Sequence, residues 1–316
     1  MLLDGLPRLR AAVIGAAAVL VGASVLAGCG DDSQSGEHTG GVRIEASFYP
    51  LAWMAEQVGG DHVSVSSLTK AGAEPHDLEL TPSDVAAVSR ADLVVYLHGF
   101  QPSVDDAVKE AGPGKLFDAT DSADLDLTFT PIEEGKAATD EAGAVDPHFW
   151  LDPTRLAAVA AAFTDRLANV DPDHAADYRA NLAALTGELT DLDTRLRDGL
   201  ATCTSKDLVT SHNAFGYLAR RYGLHQVGVT GLTPEEEPSP TDLADVTSYV
   251  ERHHVRTIYF ETLVSPAIAK TVANEAGAAT EVLDPIEGLS DDSQGRDYLE
   301  VMASNLANLR EGQPCP

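Results

Sequence analysis

Positive charge is scarce in this chain: 21 Lys and Arg stand against 50 Asp and Glu, a formal charge of -29 over 316 residues. A polyanion would meet a surface of its own sign, which argues against nucleic acid as a partner. The acidic balance suits cation capture, although it also serves solubility and carries little weight alone. Catalytic signatures are missing too. There is no H-E-x-x-H, no G-x-S-x-G and no P-loop, so metalloprotease, serine hydrolase and nucleotide-binding readings have no motif behind them. Cysteine is limited to three residues with no C-x-x-C pair, and only two tryptophans are present. With 44% hydrophobic residues, however, the chain can bury a full core, and its length fits two domains of moderate size.

The N-terminus places most of the chain outside the cytoplasm. Arg8 and Arg10 precede an apolar run, AAVIGAAAVLVGASVLAGC, that stops at Cys29 and gives way at once to GDDSQSGEHTGG. The run is short and has no stop-transfer flank, so residues 1–28 read as an export signal. Its ending, LAGC, resembles a lipobox, which implies cleavage before Cys29 and acylation of its thiol. An uncleaved anchor would give the same topology, with the protein tethered to the outer face of a membrane by the polar linker 29–41. If Cys29 carries lipid, Cys203 and Cys315 are left as an even pair in an oxidising space. One disulfide is then expected, with a two-thiolate metal site as the alternative.

Beyond the linker, two periodicities alternate. VRIEASF, VSVSSL, DLVVYL and LFDAT read as short strands, separated by helical stretches such as LAWMAEQVGG and TPSDVAAVSRA, the latter with Thr81 and Ser83 placed to cap it. A polar segment from Asp121 to Val145 follows, then DPHFWLDP. The next stretch, DPDHAADYRANLAALTGELTDLDTRLRDGL, keeps apolar residues at helical spacing for about eight turns. Alternation then resumes with DLVTS, HQVGVTG, TIYFET and TEVLDP as strands and HNAFGYLARRYG, which His212 opens, as the first of the helices between them. This pattern predicts an α/β chain: a first lobe of parallel sheet at 42–171, a long linking helix at 172–203 and a second lobe at 204–316.

In such sheets ligands bind beyond the carboxyl ends of the strands. His76 lies in the connection after VSVSSL, stiffened by Pro75. His148 lies between two Asp-Pro steps beside Phe149 and Trp150. His212 follows DLVTS, Glu261 closes TIYFET and Asp284 closes TEVLDP. Imidazoles with one carboxylate suit tetrahedral zinc, and Asp77 and Asp146 are candidates to orient the imidazoles. His98 ends a strand and is a weaker candidate. His253 and His254 read as solvated residues near a helix C-terminus. His38, His62, His174 and His225 show no partner pattern and read as surface residues.

The segments GAEPHDLELTPSD, DPHFWLDP, DPDHAADYRANL, SHNAFGYLARRYGL, EPSPTDLADV and LDPIEGL together resemble the metal-binding lipoproteins of bacterial zinc and manganese ABC importers, solute-binding proteins with a rigid linking helix. The match runs over nearly the whole mature chain. The resemblance implies that His76, His148, His212 and Asp284 are the metal ligands. It also implies an ABC import permease as partner. Glu261, read from its place at a strand end, is either a fifth oxygen ligand or an acceptor that orients a ligand, and the second is expected. Three imidazoles favour zinc over manganese, whose binders tend to place a carboxylate at the third position. Many zinc-specific relatives carry a histidine-rich loop, and the corresponding DLTFTPIEEGKAATDEAGAVD has no histidine and reads as solvated. A surface adhesin on the same fold is a further alternative.

Overall fold

The computed structural model describes residues 41–130 and 143–316. The export signal, Cys29, His38, the tether as far as residue 40 and the middle of the acidic 121–145 segment lie outside the described residues.

Four strands, β1 (Val42–Ala46), β2 (Val63–Ser67), β3 (Leu93–Tyr96) and β4 (Leu116–Asp118), form one sheet in the order β2-β1-β3-β4, all parallel. The helices of this half are α1 (Tyr49–Gly59), α2 (Pro82–Arg90), α3 (Pro102–Val108) and the single turn α4 (Thr120–Ala123). Two long helices follow, α5 (Pro153–Val170) and α6 (Ala175–Leu200). The second half comprises β5 (Asp207–Thr210), α7 (Gly216–Tyr222), β6 (His225–Gly228), α8 (Pro240–His253), β7 (Thr257–Phe260), α9 (Ala267–Ala276), β8 (Ala279–Val282) and α10 (Tyr298–Gly312). Its sheet runs β6-β5-β7-β8, again parallel, so the second half repeats the strand order of the first.

Side-chain alternation explains how each sheet is covered on both faces. Along β3 all four residues are buried; Leu93 and Val95 join a core with α1, α5 and α6, whereas Val94 and Tyr96 face a second cluster containing Val88 and Val104 of α2 and α3. The second sheet divides likewise: Leu208 and Tyr259 face the large core, and Val209 and Ile258 face Val246 and Val272 of α8 and α9. The large core therefore draws on the inner faces of both sheets and on the helices between them.

The joining helix α6 has 26 residues, about 39 Å at 1.5 Å per residue. Leu185, Leu189, Leu192, Leu196 and Leu200 form its buried stripe at three- and four-residue spacing. Helix starts are marked by local chemistry. Thr81 with Asp84, and Ser239 with Asp242, make reciprocal capping boxes ahead of Pro82 and Pro240.

The expected disulfide is present between Cys203 and Cys315, across a sequence separation of 112. Beside it the Thr204 backbone N–H donates to Pro314 O, which fastens the C-terminus to the end of α6. Closing so long a loop restricts the unfolded chain, and native disulfides contribute typically about 2–4 kcal/mol. The Cys203→Ser, Cys315→Ser double variant is therefore expected to melt roughly 5–10 °C lower in a thermal scan, and an unchanged Tm would show that the bridge constrains little.

Candidate metal centre

The loops that follow β2, β5, β7 and β8, and the segment leading into α5, carry buried polar residues. The loop after β2 is bound to the core before it reaches His76. Thr69 donates to Ser47 O, and the Gln101 amide donates to Thr69 Oγ1 and to Pro75 O. Gly72, at φ 77°, turns this loop so that its N–H donates to Leu289 O at 2.8 Å in the second half. The His76 ring then stands edge-on to Phe100, with centroids 4.6 Å apart.

His148 is positioned by the short pairing of residues 127–129 with 144–146. Thr128 bridges Val145, the Asp146 N–H donates to Leu127 O, and Asp146 Oδ1 accepts from both the backbone N–H of His148 (2.9 Å) and its ring Nδ1 (2.8 Å). His212 lies in the loop between β5 and α7, not within the helix, which begins only at Gly216. Its carbonyl accepts from Thr210 Oγ1 and Gln226 Nε2, and its Nδ1 stands 2.7 Å from Glu261 Oε1. Carboxylates only accept, so the Nδ1 of His148 and of His212 carry the proton, and both Nε2 lone pairs are free to ligate.

These rings converge on Glu287. Its Oε1 is 3.2 Å from His148 Nε2, 3.4 Å from His212 Nε2 and 3.5 Å from His76 Nε2, and the ligand atoms of all four residues lie within 4.8 Å of one another. All four side chains are buried, and the three Nε2 atoms and both Glu287 oxygens lack a hydrogen-bond partner. Five unpartnered buried polar atoms in one cluster would be costly unless something accepts their electron pairs. Ligands held about 2.0–2.2 Å from a tetrahedral zinc stand roughly 3.3–3.6 Å from each other, which is close to the spacing found here. The residues present therefore fit a four-coordinate ion with three nitrogens and one oxygen.

The electrostatics follow from this packing. Burial tends to raise the Glu287 carboxyl, but the three imidazoles outweigh it and hold it well below the usual carboxylate range. Burial tends to lower His148 and His212. Asp146 and Glu287 together reverse this for His148, and Glu261 and Glu287 reverse it more strongly for His212, so both end above the ordinary imidazole value. His76, without such a flanking acid, stays below it because burial dominates. Glu74 lies 3.9 Å from His76 Nε2 with Oε1 unpartnered, and burial followed by the charge of Glu287 pushes it up to about 8.

The carboxylate in the cluster is not the expected Asp284. β8 ends at Val282, and the Asp284 side chain turns into its own loop. Its Oδ1 accepts the Ile286 N–H at 2.7 Å and its Oδ2 accepts from Thr262 at 2.9 Å. Asn305 holds the Asp284 backbone on both sides, and Trp150 Nε1 donates to Pro285 O at 2.7 Å. The chain then passes through Ile286 at φ 60°, a conformation that β-branched residues rarely adopt, and emerges with Glu287 aimed at the imidazoles. Asp284 shapes the turn; Glu287 reaches the site. A lone acid in the otherwise apolar PIEGL was the available signal, because an acid in such company is either exposed or partnered.

The other candidates fall as follows. Asp77 does not orient His76: its N–H donates to Glu74 and its side chain meets Glu235. His98 is exposed beside Asp105, outside the cluster. His62 and His174, expected to be solitary, stack at 3.9 Å with Asp177 and Asp171 as partners. His225 meets Tyr249 and Asp207.

Comparison with known proteins finds zinc-uptake and zinc-binding relatives. The model of the family described as ZnuA, zinc-uptake complex component A, periplasmic, matches residues 44–312. The high-affinity zinc uptake system protein ZnuA of Bacillus subtilis (strain 168) is 36% identical over 297 residues, covering 91% of this chain and 93% of that protein. The zinc-binding lipoprotein AdcA of Streptococcus pneumoniae (strain R6) is also 36% identical, but this chain spans only 58% of its length. The Zn(II)-bound ZnuA-like domain of Streptococcus pneumoniae AdcA superposes with a TM-score of 0.71 at 35% identity, over 87% of this chain and 99% of the domain. With the matched span covering both sheets and all four converging side chains, this chain belongs to the ZnuA family of zinc solute-binding proteins, which are transport components and not enzymes.

Proposed function

We propose that this protein is lipid-anchored through Cys29 at the extracytoplasmic face of the cell membrane, captures one zinc ion between its two sheets, and delivers it to an ABC import permease. The ligands in this reading are His76, His148, His212 and Glu287. The observation that carries it is the set of three unpartnered Nε2 atoms at 3.2–3.5 Å from one buried carboxylate. Three imidazoles suit zinc better than manganese, a harder ion that prefers oxygen ligands. A closed site with four protein ligands has no open position for water, which suits holding an ion more than catalysis. Such a site gives up its ion slowly, so release requires the permease to draw the two halves apart.

The test is competition titration of metal-stripped protein against a chromophoric chelator. One zinc per chain, bound more tightly than manganese under the same conditions, is expected. Stoichiometric manganese binding with weak zinc binding would overturn the choice of metal, and binding of neither would overturn the site.

A further inference from the structure

Gly216, the first residue of α7, faces the carboxylate that orients His148. A Cβ built at this position would fall far inside van der Waals contact with Asp146 Oδ2, while only touching Leu127 Cδ1 at 3.4 Å. The backbone here is not left-handed, so conformational freedom does not call for glycine; close approach does. The approach is also enforced. The Tyr217 hydroxyl donates to Asp146 O at 3.1 Å and accepts from the Leu127 N–H. Arg220 binds both oxygens of Asp126 at 2.7 and 3.0 Å, and Arg155 of α5 shares that carboxylate while lying over the Tyr217 ring. α7 is thus fastened to the two segments that pair around Asp146, with the one residue lacking a side chain at the point of contact.

We propose that Gly216 is a positioning residue for zinc binding: the bare backbone at the start of α7 backs the Asp146 carboxylate and keeps its other oxygen on His148 Nδ1. The inference rests on the zinc reading of the site. Asp146 is buried between His148 and α7, so a methyl group at 216 can be accommodated only by turning the carboxylate away from the imidazole or by moving the helix. His212 lies four residues before Gly216 on the same connection, so one loop of the second half supplies a ligand and also backs the partner of a ligand beside the first. Opening the halves would then loosen His148 and withdraw His212 in the same movement.

The experiment is a double-mutant cycle on zinc affinity, using Gly216→Ala, Asp146→Ala and the pair, with the melting temperature of each metal-free protein as the control. Losing an orienting carboxylate costs typically about 10–100-fold in metal affinity. Gly216→Ala is expected to fall in that range alone and to add less than about twofold in the Asp146→Ala background, where nothing remains to be displaced. Equal losses in both backgrounds, or no loss in either, would overturn the proposal. If Gly216→Ala alone is too unstable to purify, the double variant decides: affinity and Tm matching Asp146→Ala support the role, and a further loss refutes it. Failure of the unsubstituted protein to bind zinc would remove the zinc reading and this inference with it, whereas normal binding that Gly216→Ala leaves intact would remove this inference alone.

Discussion

Glu287→Gln is expected to weaken zinc binding by two to three orders of magnitude, while Asp284→Asn changes it by less than tenfold. Four-ligand structural zinc sites bind with about 10–16 kcal/mol, so one ligand accounts on average for about 2.5–4 kcal/mol, or roughly a hundred- to a thousand-fold. Glu287 is also the only carboxylate among the four, and its charge offsets the ion's in a buried setting where removing one partner is severe. Asp284 acts through the backbone. Asparagine retains an oxygen for the Ile286 N–H, and the Thr262 hydroxyl, which donates to Oδ2, can rotate to accept from the new amide. Asp284→Ala, by contrast, frees a buried N–H at the left-handed residue just before Glu287 and is expected to cost about 10–100-fold, as outer partners of metal ligands do. Chelator competition on the three variants measures the order. An Asp284→Asn loss exceeding that of Glu287→Gln would return the ligand role to Asp284.

The exchange between these two acids shows what a sequence can and cannot reveal about such a site. The parallel α/β architecture was legible because strand and helix periods alternate within each half and the stripe of α6 persists over its length. His76, His148 and His212 were legible because they follow strand ends or lie between prolines that stiffen their turns. The strand-end rule failed at Asp284 because β8 stops two residues early and a left-handed Ile286 reverses the direction in which the next side chain points. A positive φ at isoleucine leaves no mark in composition or periodicity. Asp146 could be named as an orienting group from its spacing to His148, but Glu261 reaches His212 across 49 residues of sequence, a distance that only the β5–β7 pairing closes. The same holds for the His62–His174 stack, which depends on where α6 begins relative to β2. Gly216 could not have been found at all, since its importance lies in a side chain it does not have.

Zinc affinity is expected to fall steeply as pH drops from about 7.5 to 5.5, by at least a hundred-fold, because protons compete for the same nitrogen lone pairs. In the metal-free protein His148 and His212 have pKa values above 6.5, so both begin to take up protons above that pH and zinc must displace them. Where both are protonated, each unit of pH lost costs up to about a hundred-fold in affinity. Glu287, held well below 4.5, keeps its charge throughout this window and adds nothing to the slope. The sign for stability runs the other way. Raised imidazole values stabilise the metal-free fold below pH 6.5, and this contribution is lost as pH rises through the folded-state values. The Tm of the zinc-loaded protein should therefore exceed that of the metal-free protein by a margin that widens from pH 5.5 to 7.5. Calorimetric titration in buffers of different ionisation heat should register proton release on binding near pH 6.5 that diminishes at higher pH. An affinity independent of pH across this window would mean that His148 and His212 are not ligands, whatever the separations among their nitrogens.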